Sequence, residues 1–178
     1  PELAEALHAR GLAAEWGGHG LVEWLPRAVF AAHPEYFPAD ASGRRTDMGN
    51  CCPSNADALA LIGEGVRSAR AAVGGDDLHL WGLDLFGGGW CHCARCRGQS
   101  PSDQALRVAN AVVSSLPPAE RLFHLAYHDT IHVPRSVRPH ARVWAEFAAR
   151  ERCYAHGIDD PTCHINPRYR AALEAHLD

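Results

Sequence analysis

An α/β fold built on a parallel sheet is what this sequence predicts, and three observations predict it. Short apolar runs alternate with stretches of helical period, most helical stretches carry recognisable start and stop residues, and polar and aromatic groups recur where the apolar runs end. Leu3, Ala6, Leu7 and Arg10 followed by Gly11 read as a short helix closed by a glycine cap. Leu12 to Trp16 reads as a brief buried strand entering Gly17-Gly18-His19-Gly20. Leu21 to Ala32 has helical character, but Pro26 has no amide hydrogen to donate, so a break is expected there. Residues 33–53 are rich in Pro, Gly, Asp and Arg without a period, a loop long enough to call for a function.

Ser54 reads as the N-cap of a helix in which Leu59, Ile62, Val66, Ala69 and Val73 recur until Gly74-Gly75. Leu78 to Leu85 is the next strand. Ser100-Pro101-Ser102-Asp103 combines a cap, a first-turn proline and an early acid, and the helix continues through Leu106, Ala109, Val113 and Leu116 to Pro117-Pro118. Arg121 to His128 and Val143 to Ala149 are the third and fourth strands, and Asn166-Pro167 opens a closing helix. In parallel α/β folds the ligand site lies at the carboxyl ends of the strands. Here those ends carry His19, Asp84, Tyr127-His128-Asp129-Thr130, and Glu146 onward to His156. Four strands cannot close an eight-stranded barrel, which takes about 250 residues. A partial barrel or an open sheet is therefore expected.

With 178 residues and 47% apolar composition, the chain reads as a single soluble domain over 1–178. It has no run of about 18 apolar residues and no recognisable signal peptide, so no membrane span is expected. It opens inside a helical pattern without an initiator methionine, as a piece of a longer or processed protein would. Further domains of that protein, or a homodimer, are the expected cover for an open barrel edge. The net charge of −4, from 17 basic and 21 acidic residues without a basic cluster, argues against nucleic acid as a partner. Richness in Ala, Arg and Gly suggests a GC-rich bacterial genome.

Trp90-Cys91-His92-Cys93-Ala94-Arg95-Cys96 is the densest chemical motif. Three sulfurs so close together ligate a soft metal, pair as disulfides, or react. Tetrahedral zinc takes four ligands, and Cys51, Cys52, Cys153, His156, Cys163 and His164 are the candidates for the fourth, with Cys153 taken first. Seven cysteines cannot all pair within one chain. Either way the role is structural, because no adjacent His-Glu pair is placed to activate a metal-bound water.

The order of His19, Leu25-Pro26, Phe30, His33-Pro34-Glu35-Tyr36-Phe37, Cys52-Pro53-Ser54-Asn55, the cysteine motif, Ala126-Tyr127-x-x-Thr130 and Arg152-Cys153-Tyr154-x-His156 resembles a bacterial carbohydrate-active family. It is the domain of unknown function 4838, whose characterised members are placed in glycoside hydrolase family 163, and the resemblance runs from about Leu3 to Asn166. It implies a (β/α)8 TIM-barrel catalytic domain, of which this chain would be the first two-thirds. It also implies endo-β-N-acetylglucosaminidase activity on N-glycans, retaining, with the substrate's own 2-acetamido group attacking the anomeric carbon. The loop Leu85-Phe86-Gly87-Gly88-Gly89 departs from the short polar turn of the family.

Glycoside hydrolysis needs a protonated acid at the leaving oxygen and a second group for the oxocarbenium-like centre. Asp84 and Glu146 are the catalytic candidates. The alternatives are a turn cap for Asp84 and, for Glu146, an ion pair with Arg142 or Arg150. His19, Trp90, Tyr127, His128 and His156 are the candidates for contact with an oligosaccharide or glycoprotein glycan, with loop-holding and core packing as their alternatives. No cofactor is required for such catalysis, and zinc would be structural. Export to a periplasmic, cell-surface or secreted location would favour disulfides, and a cytoplasmic location would favour Cys91, Cys93, Cys96 and Cys153 as zinc ligands. A non-catalytic glycan-binding domain and a zinc-stabilised interaction domain are the competing readings.

Overall fold

Four parallel strands form one sheet in sequence order, β1 (Trp16–Gly18), β2 (Leu78–Leu80), β3 (Leu122–Ala126) and β4 (Val143–Phe147), in a computed structural model that describes residues 2–177. Gly17, His79, Phe123 and Trp144 lie side by side across all four strands. Five α-helices accompany them: α1 (Glu2–His8), α2 (Leu21–Trp24), α3 (Ala56–Val73), α4 (Pro101–Val112) and α5 (Asn166–Leu177). The fold is α/β, as the alternation of patterns predicts.

The strand residues alternate in burial because successive side chains point to opposite faces of a sheet. Leu78, Leu80, Leu122 and Val143 face a core shared with Ile62 and Val66 of α3 and Leu106, Ala109 and Val112 of α4. Removing each of the larger apolar side chains from water stabilises the fold by about 1.5–3 kcal/mol. The other face carries His79, Phe123, Glu146 and Trp144, the last 53% exposed. Sheet and helices thus enclose one core on one side only.

Helix ends follow the chemistry of unpaired backbone groups. At α4 the Ser100 hydroxyl accepts from the Asp103 amide while Asp103 returns a bond to the Ser100 amide, the capping box that the sequence predicts. At α3 the cap is Asn55, whose side chain accepts from the Ala58 amide. Ser54, one residue earlier, turns its hydroxyl to Cys96 Sγ at 3.1 Å instead. Gly74 closes α3 in the left-handed region at φ +76°, which only glycine adopts without penalty. Pro26 breaks the second helix: α2 stops at Trp24 and a 3-10 turn, Arg27–Ala31, follows.

All four strands depart from their predicted bounds: β1 shares only Trp16 with the run 12–16 and continues to Gly18, and β2, β3 and β4 end early, at Leu80, Ala126 and Phe147. Residues 12–15 precede β1 without entering the ladder, and β2 stops at Leu80 because the Asn50 side chain captures the Leu83 amide at 2.8 Å. The long loop 33–53 is packed rather than loose: Phe37 is fully buried edge-on against Phe30, and Ala39 bridges Arg45. No helix among the described residues is long and apolar enough to cross a membrane.

Candidate functional site

The carboxyl ends of β2, β3 and β4 bring together a chain of polar side chains. Tyr127, which follows β3, donates its hydroxyl to Asp84 Oδ1 at 3.2 Å and receives Arg150 Nη1 at 3.2 Å. The next residue, His128, reaches Asp84 with Nε2 at 3.7 Å and Glu151 Oε1 with Nδ1 at 2.6 Å, the second at an angle poor for a hydrogen bond. The His128 side chain is only 7% exposed, between two carboxylates that are open to solvent. Its backbone has φ +46°, the only positive value at a non-glycine residue among the described residues. A bulky residue in that region carries strain that packing must hold, and such positions gather at functional sites. Tyr127 supplies part of the packing, its ring centroid 3.6 Å from that of His128. Thr130 adds the rest by donating to the Leu125 carbonyl and accepting from the Tyr127 amide.

Electrostatics tie the chain further. Burial raises the Tyr127 phenol above its ordinary value, and the Asp84 charge adds to that. The hydrogen bond to Tyr127 raises Arg150, which stays cationic. Beside His128 a cleft of about 320 Å3 is lined by Phe86, Asp129, Glu151 and Tyr169. That volume falls at the lower edge of the range of about 300–1,000 Å3 typical of small-molecule sites. Phe86 is 78% exposed and stands edge-on to His128, an aromatic surface at the mouth. Glu151 and Phe86 were not among the sequence candidates. The signal for Glu151 was its position four residues past β4, on the same rim as Asp84.

Other candidates serve the fold more visibly. Glu146 accepts from His79 Nδ1 at 2.7 Å on the open sheet face, and Glu15 takes Nε2 at 2.8 Å. Burial works against protonation of His79, but the bonds to both carboxylates outweigh it and its pKa is raised. The arginines expected to hold Glu146 are engaged elsewhere: Arg142 donates to the carbonyls of Val113, Pro117 and Glu120, and Arg150 to Tyr127. His19 holds loops together through the Gly82 carbonyl at 2.5 Å. Gly17 beside it is small because a Cβ there would strike the His79 carbonyl. Trp90 is pinned by its Nε1–H to Asp129 Oδ2 at 3.0 Å, and Asp129 also takes the Gly87 amide at 3.1 Å.

The cysteines form two groups. Cys52, Cys91, Cys93 and Cys96 have their sulfurs within 4.8 Å of one another, three of them buried. The fourth sulfur is therefore Cys52 and not Cys153, which belongs to a separate group with His156 and Cys163. Position in the chain concealed this: Cys52 lies far from the knot in sequence, and the long loop folds it back. Its sulfur is 3.9 Å from Cys93 and 4.0 Å from Cys96, and all seven cysteines are free. A disulfide requires about 2.05 Å. A tetrahedron with metal–sulfur bonds of about 2.3 Å has sulfur–sulfur edges of about 3.8 Å. The donor set thus fits a soft metal ion.

Surrounding groups already support negative sulfur. The Ala39 amide points at Cys91 Sγ at 3.5 Å and Arg45 Nη1 approaches it at 3.7 Å. Gln104 brackets the Cys91 backbone, accepting from its amide at 2.9 Å and donating to its carbonyl at 3.0 Å. Bonds from the Cys91 and Cys96 thiols pull Cys52 far below the ordinary thiol range, and Cys96 is pushed up in return. Burial holds the neighbouring Cys51 as a thiol, pushed up to about 12, outside the cluster.

No curated protein matches this chain. The family described as Domain of unknown function (DUF4838) matches it over residues 4–174, nearly its whole length. This chain belongs to the DUF4838 family.

Proposed function

We propose that the chain is a glycoside hydrolase-type domain acting on N-acetylglucosamine-containing glycans, with retention assisted by the substrate's 2-acetamido group. The single observation that carries this reading is the chain of polar contacts Glu151, His128, Asp84, Tyr127 and Arg150, hydrogen-bonded at Tyr127 and within ion-pair distance at His128, beside an aromatic-lipped cleft. Asp84 accepts from the acetamido N–H and holds its carbonyl oxygen toward the anomeric carbon. That oxygen forms a bond to the carbon as the glycosidic C–O bond breaks, and the leaving oxygen takes a proton from the Glu151 carboxyl. Water then adds at the same carbon, gives its proton to Glu151 and displaces the acetamido oxygen. Glu151 fits the acid role better than Glu146, because His128 couples it to Asp84 while Glu146 is held by His79.

The strand order supports a partial (β/α)8 barrel as the scaffold. Parallel crossovers are right-handed, so four strands laid down in sequence order place their helices on one face. Doubly wound sheets reverse direction and cover both faces. The open face here, with His79, Phe123 and Trp144, matches a barrel interior.

Zn2+ is the ion proposed for the Cys52, Cys91, Cys93 and Cys96 cluster, as a structural centre. When bound it cross-links the loop before α3 to the knot before α4, without taking part in hydrolysis.

The test is glycan release from an N-glycosylated protein by the wild type and by D84N, E151Q and E146Q, with glycan binding measured in parallel. Turnover that falls by at least about 100-fold in D84N and E151Q, with binding retained, is the expected result. Binding without turnover in the wild type would replace the enzyme reading with a glycan-binding one. Neither binding nor turnover would overturn both.

A further inference from the structure

We infer that the loop after β4 holds a second metal centre, a Cys2His site of Cys153, His156 and Cys163, which binds Zn2+ independently of the four-sulfur cluster. The three donor atoms lie within 4.8 Å of one another, and Cys153 Sγ is 3.1 Å from His156 Nδ1. A tetrahedral zinc ion with these ligands has sulfur–nitrogen edges of about 3.5 Å, so the ion is accommodated by a shift of a few tenths of an ångström.

The frame around the donors is built. Asn166, fully buried at the start of α5, accepts from the Cys153 amide at 2.7 Å. Its Nδ2 points to the carbonyls of Cys153, His156 and Gly157 at 2.9–3.1 Å. One side chain thus ties together the backbone that presents two of the three ligands. The Asn166 amide also points at Cys163 Sγ at 3.4 Å, a contact that favours sulfur as thiolate. The Cys163 amide in turn donates to the Asp160 carbonyl, whose side chain holds Thr162.

The loop has little else to hold it. Between Phe147 and Asn166 there is no helix or strand, and Cys163 is the only buried residue. A stretch of that length without an apolar core needs another source of order. Two thiolates and a neutral imidazole cancel the charge of Zn2+, with the thiol protons released to solvent on binding. His156 is exposed and Cys153 half-buried, so the fourth position is open to water. The same loop begins with Arg150 and Glu151, so the ion would also stiffen the segment that meets Tyr127 and His128.

The experiment is metal counting by native mass spectrometry on protein purified without chelators, followed by Co2+ substitution. Wild type is expected to carry two Zn2+ per chain, C163S to keep one, and C52S to keep the other. The thiolate-to-Co2+ charge-transfer band should lose the share of two sulfurs in C163S and of four in C52S. H156A, which alters an exposed side chain, guards against a folding failure and should weaken the second ion at least about tenfold. One Zn2+ per wild-type chain, lost in C52S and untouched by H156A, would overturn the proposal. A Cys153–Cys163 disulfide in the isolated protein would overturn it equally. One ion lost in H156A and retained in C52S would uphold it and remove zinc from the four-sulfur cluster instead.

Discussion

Tyr127 donates its hydroxyl to Asp84 across 3.2 Å, joining the loop after β3 to the loop after β2 at the mouth of the proposed sugar site. Because burial and then the Asp84 charge raise the phenol, D84N should lower the Tyr127 pKa toward the ordinary tyrosine value near about 10. The difference in ultraviolet titration between each protein and its Y127F counterpart reads this directly. In the glycan assay, Y127F should lower kcat by roughly 10- to 100-fold with little change in KM, since the hydroxyl orients Asp84 rather than binding ground-state sugar.

Asp103 takes amide hydrogens from Ser136 at 2.7 Å and Val137 at 3.0 Å besides capping α4. Burial opposes its charge, but these bonds prevail and hold its pKa down at about 2. A depressed carboxyl stabilises the fold above the unfolded value of about 4 and loses that contribution as pH falls toward 2. D103A should cost about 2–4 kcal/mol at pH 7, and urea melts of wild type and variant should converge near pH 2.

His124 lies 5% exposed on the helix side of β3, with Nδ1 unpartnered. Burial, with the nearby His176 charge, lowers its pKa to about 4. Below about pH 6.5 the unfolded chain takes up a proton that the folded chain refuses, so stability falls with pH down to about 4. The loss reaches roughly 3 kcal/mol. H124L should remove this part of the acid sensitivity, seen as a flatter dependence of melting temperature on pH.

His79 behaves in the opposite sense, because Glu15 and Glu146 raise it. Its contribution is complete below the unfolded value of about 6.5 and fades as pH rises through the folded value. E146Q should lower the His79 titration midpoint in proton NMR, and an unchanged midpoint would refute the pairing.

Adjacent cysteines should respond differently. C52S is expected to abolish metal at the four-sulfur cluster, whereas C51A, which removes a protonated thiol outside it, should retain full occupancy by elemental analysis.

Local chemistry made much of the fold legible in the sequence. The capping box at Ser100 and Asp103, the break at Pro26 and the glycine stop at Gly74 each follow from backbone groups within a few residues. Alternation of apolar runs with helical periods was enough for four strands and the α/β class. Asp84, Tyr127 and His128 stood out because each follows an apolar run.

Long-range geometry decided the rest. Cys52 rather than Cys153 completes the sulfur cluster because the loop 33–53 folds back on the knot, and linear distance carries no record of that return. Asn55 replaces Ser54 as the helix cap because Cys96, over forty residues away, engages the serine hydroxyl. Glu146 meets His79 on the open sheet face, and Glu151 meets His128, because strand pairing sets which way each carboxylate points. Most elements were legible in residue order, since helix period, breaks and caps depend on neighbours along the chain. Which side chains meet was not legible there, since donors, carboxylates and sulfurs find partners through space after the strands are in register.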